Sequence, residues 1–334
     1  MMNSSDIINR PSYQGVDYMK FIMALCVVAI HVNSANCVLT HWPPCIKWLI
    51  NLAVPFFFVC SGFLLARKLD RQPDDVQRRK TLWKRAFTIF RIFGCWLLIY
   101  LPITVYLDAR NGDSVAHDAV AYFGRVLLSG ESEYAYPLWF LYSMAIVLTV
   151  YAVLYKIKHI ERILFALFVI VLAANSLQSW ECLQDISMLK LFNLLTHRTL
   201  GGGTYIMAGI ILYRMRFVPS LWLSLGLVVV SVSLFILKLP YWELCGGVAL
   251  FALAVRINSS EASPRTWWRS MSMWIYYLHM YVIFFLSLYF GAKGEFLTAP
   301  VLYCIVLALA VVLSALLVRL QSIKSCSWLN FLIS

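Results

Sequence analysis

Apolar runs long enough to cross a bilayer take up most of this chain, and no other feature restricts its possible folds so sharply. The runs lie near 17–36, 46–66, 83–106, 137–155, 161–176, 199–215, 218–237, 240–256, 271–290 and 298–319. The fifth and eighth approach the lower limit of about 17 residues for a span. In hydrocarbon every backbone N–H and C=O must be bonded within the chain, which leaves helices or a closed barrel. The runs are near-continuous rather than alternating, and this excludes a barrel. Charged residues make up 13% of the 334, against about 25% in soluble domains, and hydrophobic residues make up 61%. The expected fold is all-α: a polytopic transmembrane helical bundle of about ten spans with both termini cytoplasmic. Residues 1–334 are expected to form a single integral membrane domain with no soluble domain appended.

Orientation follows from where the 28 Lys and Arg residues fall. The segment "RKLDRQPDDVQRRKTLWKR" (67–85) holds eight of them, so it is read as a cytoplasmic loop. Alternation then places 21 of the 28 basic residues inside. The segments near 107–136, 177–198 and 291–297 come out outside. They carry Asp108, Asp113, Asp118, Glu131, Glu133, Glu181, Asp185 and Glu295.

The net charge of +12 is thus a topology signal, and no basic-aromatic strip calls for nucleic acid. The nine cysteines form no C-x-x-C pair, which argues against a metal or redox site. Cys37, Cys45 and Cys182 fall in or near outer loops, where nothing in the sequence requires a disulfide. The first run follows a polar leader, and its length suits a retained span rather than a cleaved signal.

Ionisable residues inside spans are costly and usually functional. His31 lies in the outer half of the first span. Lys20 lies eleven residues earlier, roughly 16 Å away along the same helix face, and Asp17 is placed for an i,i+3 pair with it. The plainer readings are a packed imidazole and a lysine snorkelling to the headgroups. In the second span, Ser61-Gly62 serves equally as an ordinary small-residue packing seam. Lys84 and Arg85 could be the positive-inside signal alone, but Arg91 sits about two turns inside the third span. Trp139 and Tyr142 suit an interfacial belt. Glu243 and His279 add two more titratable groups to the middle and outer layers.

These residues, in this order, resemble the acyltransferase-3 family of membrane acyltransferases. Asp17, Lys20 and His31 fill its D-x-x-(R/K)-x(10)-H pattern, and Phe56 to Leu65 resembles its FFF-x-x-SGFLL segment. Lys84, Arg85 and Arg91 match its basic third-span start. "PLWFLYSM" (137–144) is similar to its LWFL segment, and "IYYLHMY" is similar to its late histidine helix at His279. Lys20 departs from the Arg that many members carry, and Lys offers a point charge rather than a bidentate fork.

The resemblance implies transfer of an acyl group, commonly acetyl, from cytoplasmic acyl-CoA to a hydroxyl of an envelope glycan or its lipid-linked precursor. The setting would be a bacterial inner membrane. It implies His31 as general base, with Glu243 and His279 as further catalytic groups. Lys20, Lys84, Arg85, Arg91 and Ser61 would hold acyl-CoA, a co-substrate rather than a resident cofactor. The expected partners are acyl-CoA, the sugar acceptor and membrane lipid. No metal and no nucleic acid are expected.

Two rivals remain at this level. "LGGGTYIMAGI" (200–210) could be the broken helix of a secondary transporter. The chain could also be a solitary relative of the membrane half of a vancomycin-resistance-type serine racemase. The charge distribution itself is testable. Reporter fusions should place 67–85 in the cytoplasm and 107–136 outside, and finding both on one side would remove the ten-span topology.

Overall fold

The computed structural model describes residues 13–33, 38–111, 120, 122–124, 126, 130, 135–177, 196, 199–257, 266–294 and 296–333. Asp113, Asp118, Glu131, Glu133, Glu181, Asp185, Glu295, Cys37 and Cys182 lie outside the described residues. The protein is all-α. Among the described residues its α-helices are α1 (Gln14–Val32), α2 (Pro44–Asn51), α3 (Ala53–Asp70), α4 (Asp75–Asn111), α5 (Trp139–Leu154), α6 (Ile160–Leu177), α7 (Gly203–Arg214), α8 (Leu221–Ile236), α9 (Trp242–Ala254), α10 (Thr266–Lys293) and α11 (Ala299–Gln321). Two short parallel strands, β1 (Val38–Thr40) and β2 (Leu297–Thr298), pair Val38 with Leu297 and Thr40 with Thr298.

Each expected span contains a helix. Among the described residues, six helical stretches are long and apolar enough to cross a membrane: Gln14–Val32, Pro44–Asp70, Asp75–Leu107, Tyr136–Leu154, Trp267–Lys293 and Ala299–Gln321. α7, α8 and α9 have 12, 16 and 13 residues.

One local expectation is corrected. The basic segment 67–85 is mostly helix. α3 runs on to Asp70 and α4 begins at Asp75, so the connection is four residues long. Lys and Arg propagate a helix nearly as well as Leu, and their charge marks a side of the membrane rather than a loop. The second span, Pro44–Asp70, has a break at Leu52. Pro55 has no N–H for the Asn51 carbonyl and its ring would clash there, so α2 ends at Asn51 and Pro55 sits in the first turn of α3.

Among the described residues the protein forms two compact units, one within Phe58–Ala252 and the other within 13–57 with 253–333. In the first, α4 packs along α5, with the Phe93 and Tyr142 rings 5.4 Å apart. α6 packs on α7, where Thr204 Oγ1 donates to the Phe168 carbonyl at 2.8 Å. α3 and α7 approach until their backbones touch. A Cβ on Gly62 would stand 2.0 Å from the Ile206 carbonyl oxygen, and one on Gly209 would stand 2.1 Å from that of Val59. Such contact is how helices associate where no hydrophobic force drives them together.

Two of the three glycines of "LGGG" are also consumed by packing. Cβ atoms on Gly202 and Gly203 would enter the rings of Phe58 and Phe168. α7 and α8 stop in turns with Arg216 and Lys238 left-handed (φ 50° and 54°). The N–H groups of Phe217 and Leu239 reach back to the carbonyls of Leu212 and Leu234 at 3.0 and 2.8 Å, the 6→1 bond of a Schellman end.

In the second unit α1 packs on α10, and α11 on both. Trp268 meets the rings of Tyr18 (6.0 Å) and Phe21 (4.9 Å) edge-on. The Trp274 indole donates to Gln321 Oε1 at 3.0 Å.

Gly209→Ala should cost about 1–3 kcal/mol through overpacking. Gly94→Ala, whose Cβ would meet nothing within 4 Å, serves as the comparison. Thermal unfolding in detergent micelles checks this. Equal melting temperatures would mean that the α3–α7 contact is not a close backbone approach.

Candidate functional site

The end of α1 would leave its last carbonyls without partners, and hydrocarbon supplies none. The segment after it answers this need. The Trp42 indole donates to the Ala29 carbonyl at 2.8 Å, and Asn33 Oδ1 accepts the Trp42 backbone N–H at 3.2 Å. The Trp42 ring then packs edge-on against Tyr303 of α11, 5.7 Å away. His31 lies in the last turn of α1, so these bonds set its position.

Facing it is His279 of α10, fully buried, with ring centroids 5.2 Å apart and planes at 37°. His279 Nδ1 lies 3.1 Å from the Ile275 carbonyl. A carbonyl only accepts, so Nδ1 carries the proton. Nε2 carries the lone pair and has no hydrogen-bond partner among the described residues. A buried polar atom left open is costly.

Lys20 lies on α1 in the same unit, half-buried, within the turn that presents Tyr18 and Phe21 to Trp268. Among the described residues no ion pair joins it to Asp17, so the expected i,i+3 pair is absent.

Ser61 and Arg85 are in the other unit, where they line one cavity of about 200 Å³. Its wall is otherwise apolar, from Leu64, Leu65, Ile89 and Met144 among others, and Lys68 adds a second cation. No acidic residue is among its described lining. Two like charges sharing a small apolar-walled space favour an anion between them. Lys68 was not nominated from the sequence, where it is one of eight basic residues in 67–85 and matches no motif. Lys84 is exposed beside Arg85, and Arg91 is half-buried on α4. Neither lines this cavity.

Glu243, at the start of α9, accepts a hydrogen bond of 2.6 Å from the hydroxyl of Tyr205 on α7. Tyr205 stacks on Phe58 with centroids 6.2 Å apart. It too escaped the sequence reading, since a tyrosine inside an apolar run looks like packing. The same unit holds an ion cluster at its helix ends. Arg214 Nε donates to Glu161 at 3.0 Å, and its guanidinium stands 3.6 Å from Asp70. The hydroxyls of Tyr151 and Tyr213 donate to Glu161 (2.5 Å) and Asp70 (3.2 Å). This cluster joins α3, α5, α6 and α7 and is satisfied within itself.

Among the described residues, six apolar helical stretches of spanning length fit an integral, multi-pass membrane protein. Residues 13–319 match the acyltransferase domain of the acyltransferase-3 family. The chain belongs to that family. The match runs through both compact units. An amino-acid racemase from Enterococcus faecalis is 34% identical over 102 residues, 28% of this chain. The matched stretch spans only 13% of that relative's length. No solved structure matches the chain.

Tyr205→Phe should lower the stability of the folded protein by about 1–3 kcal/mol, because it removes the donor from the Glu243 carboxylate. Glu243→Gln keeps an acceptor oxygen and should cost less. Melting curves in detergent compare them, and a Tyr205→Phe protein as stable as the parent would remove this bond from the account.

Proposed function

We propose that the protein transfers an acyl group, acetyl first among the candidates, from cytoplasmic acyl-CoA to a hydroxyl of an envelope glycan or its lipid-linked precursor. The observation that carries this reading is the imidazole pair His31–His279 within a chain of the acyltransferase family.

The chemistry asks for little else. A thioester is already activated, so the acceptor hydroxyl needs a base and a dry, oriented site. His31 takes the hydroxyl proton as the oxygen attacks the thioester carbonyl. The C–O bond forms, the C–S bond breaks, and the imidazolium returns the proton to the departing thiolate. Ester and free CoA thiol are the products. His279 holds the His31 ring against its own fixed tautomer and touches neither reacting atom, which makes it a positioning residue. Glu243 is assigned to the acceptor's side of the reaction. Lys20, Lys84, Arg85 and Arg91 are the cations proposed for the CoA phosphates, and Ser61 and Lys68 complete the cavity that Arg85 lines.

A second reading rests on the local identity with an amino-acid racemase. In that reading the protein handles an amino acid rather than a glycan. Mass spectrometry of cell-envelope glycans, with and without the protein, separates the two. Acyl transfer predicts a difference of one acyl unit, and unchanged glycans would favour the second reading.

Among variants, His31→Gln should lose about a hundred- to ten-thousand-fold in transfer rate while CoA still binds. His279→Gln should lower kcat while leaving the KM for acyl-CoA unchanged. Arg85→Ala should weaken acyl-CoA binding without altering acceptor choice. A folded His31→Ala protein with activity within a few-fold of the parent would return His31 to a packing role.

A further inference from the structure

A second, larger cavity in the unit that holds α4 and α5 has no part in the acyl-transfer proposal. It measures about 710 Å³ and is lined by Asp75, Val76, Arg79, Lys80 and Trp83 of α4 with Tyr155 and Lys156 just beyond α5. Its one carboxylate is already engaged. Asp75 pairs with Arg78 at 2.9 Å and accepts from the Tyr155 hydroxyl at 3.4 Å. Arg79 is tethered by a single bond, from Nε to the Ala152 carbonyl at 3.0 Å, and this leaves its terminal nitrogens open. Lys80 and Lys156 are exposed and have no hydrogen-bond or ion-pair partner among the described residues. Three cations therefore border one space with no acid left to answer them.

What lies beside this space decides which anion fits. Val76, Trp83, Phe87 and Leu98 are 75%, 40%, 77% and 61% exposed. Their spacings of 7, 4 and 11 residues put them on one stripe of α4. The stripe starts in the cavity and runs about 33 Å along the helix. A free anion would make no use of it, whereas a molecule with a charged head and apolar tails would use both parts. Arg85 and Ile89, which line the smaller cavity, lie on a different face of α4, so the two spaces do not form one continuous groove along that helix. The basic segment that opens α4 is also the side that the charge distribution assigns to the cytoplasm, where anionic lipid headgroups attract basic residues.

We propose that this cavity binds the phosphate head of an anionic phospholipid from the inner leaflet. Arg79, Lys80 and Lys156 contact the phosphate. Trp83 sits at the level of the glycerol backbone, and the acyl chains lie along Val76, Phe87 and Leu98. The site is independent of the acyl-transfer reading and stands or falls apart from it.

Native mass spectrometry of the purified full-length protein in mixed micelles tests it, with phosphatidylglycerol and phosphatidylcholine as the competing probes. The parent protein should retain phosphatidylglycerol preferentially. Lys80→Gln/Lys156→Gln should lose about fivefold of that preference for each cation removed. These two side chains hold no protein partner, so the variant should fold. Lys158→Gln/Arg162→Gln, on the same side but outside the cavity, should keep the preference. Equal retention of the two lipids by the parent would overturn the proposal, and so would an unchanged preference in the cavity variant. Displacement of phosphatidylglycerol by CoA, with inorganic phosphate inactive, would also overturn it by assigning the cavity to a nucleotide.

Discussion

A helix that ends in or near hydrocarbon exposes carbonyls that only the protein can satisfy, and the proposed catalytic geometry depends on how this chain meets that demand at the end of α1. The Trp42 indole closes on the Ala29 carbonyl, and Asn33 takes the Trp42 N–H. Trp42 is in turn held against Tyr303. The turn that carries His31 is therefore fixed at its free end, where a helix normally frays. This closure adds to the packing of α1 on α10 in holding the imidazole opposite His279.

The same demand shapes the other unit differently. α7 and α8 are short and end in Schellman turns that return their last carbonyls to backbone N–H groups. Short helices bury little surface alone, so association must come from close approach. Gly62 and Gly209 supply it between α3 and α7, where neither position has room for a methyl group. The Arg214–Glu161–Asp70 cluster then ties the helix ends, with its charges paired and hydrogen-bonded. Charges of this kind stabilise only when each has its partner.

The helices were legible in the sequence because their signal is local: an apolar run reads the same whatever it packs against. The glycine seam at Ser61-Gly62 was legible for the same reason, although its partner on α7 was not. The stretch 67–85 was misread because charge and secondary structure are separate signals, and a basic helix looks like a basic loop once hydropathy is the only measure. His31 and His279 stood out as ionisable groups in apolar surroundings. Their pairing did not, because 248 residues separate them in the chain and nothing local encodes the contact. Tyr205 with Glu243, and Arg214 with Glu161, were hidden for this reason too.

The two imidazoles are not interchangeable on the proposed reading. Two unit charges 5.2 Å apart would repel by about 3 kcal/mol at an effective dielectric constant of 20, so a charge on one ring opposes a charge on the other. His31 lies in the last turn of α1, where the negative end of the helix dipole favours a cation by about 0.3–1 kcal/mol. His279 lies mid-helix with its Nδ1 proton committed to the Ile275 carbonyl. A base that must gain a proton during the reaction and lose it within the same turnover belongs at the site that tolerates the charge. Its neighbour serves by staying neutral, because a cationic His279 would oppose the imidazolium on which the reaction depends. The division of labour between the two rings thus follows from their places on their helices.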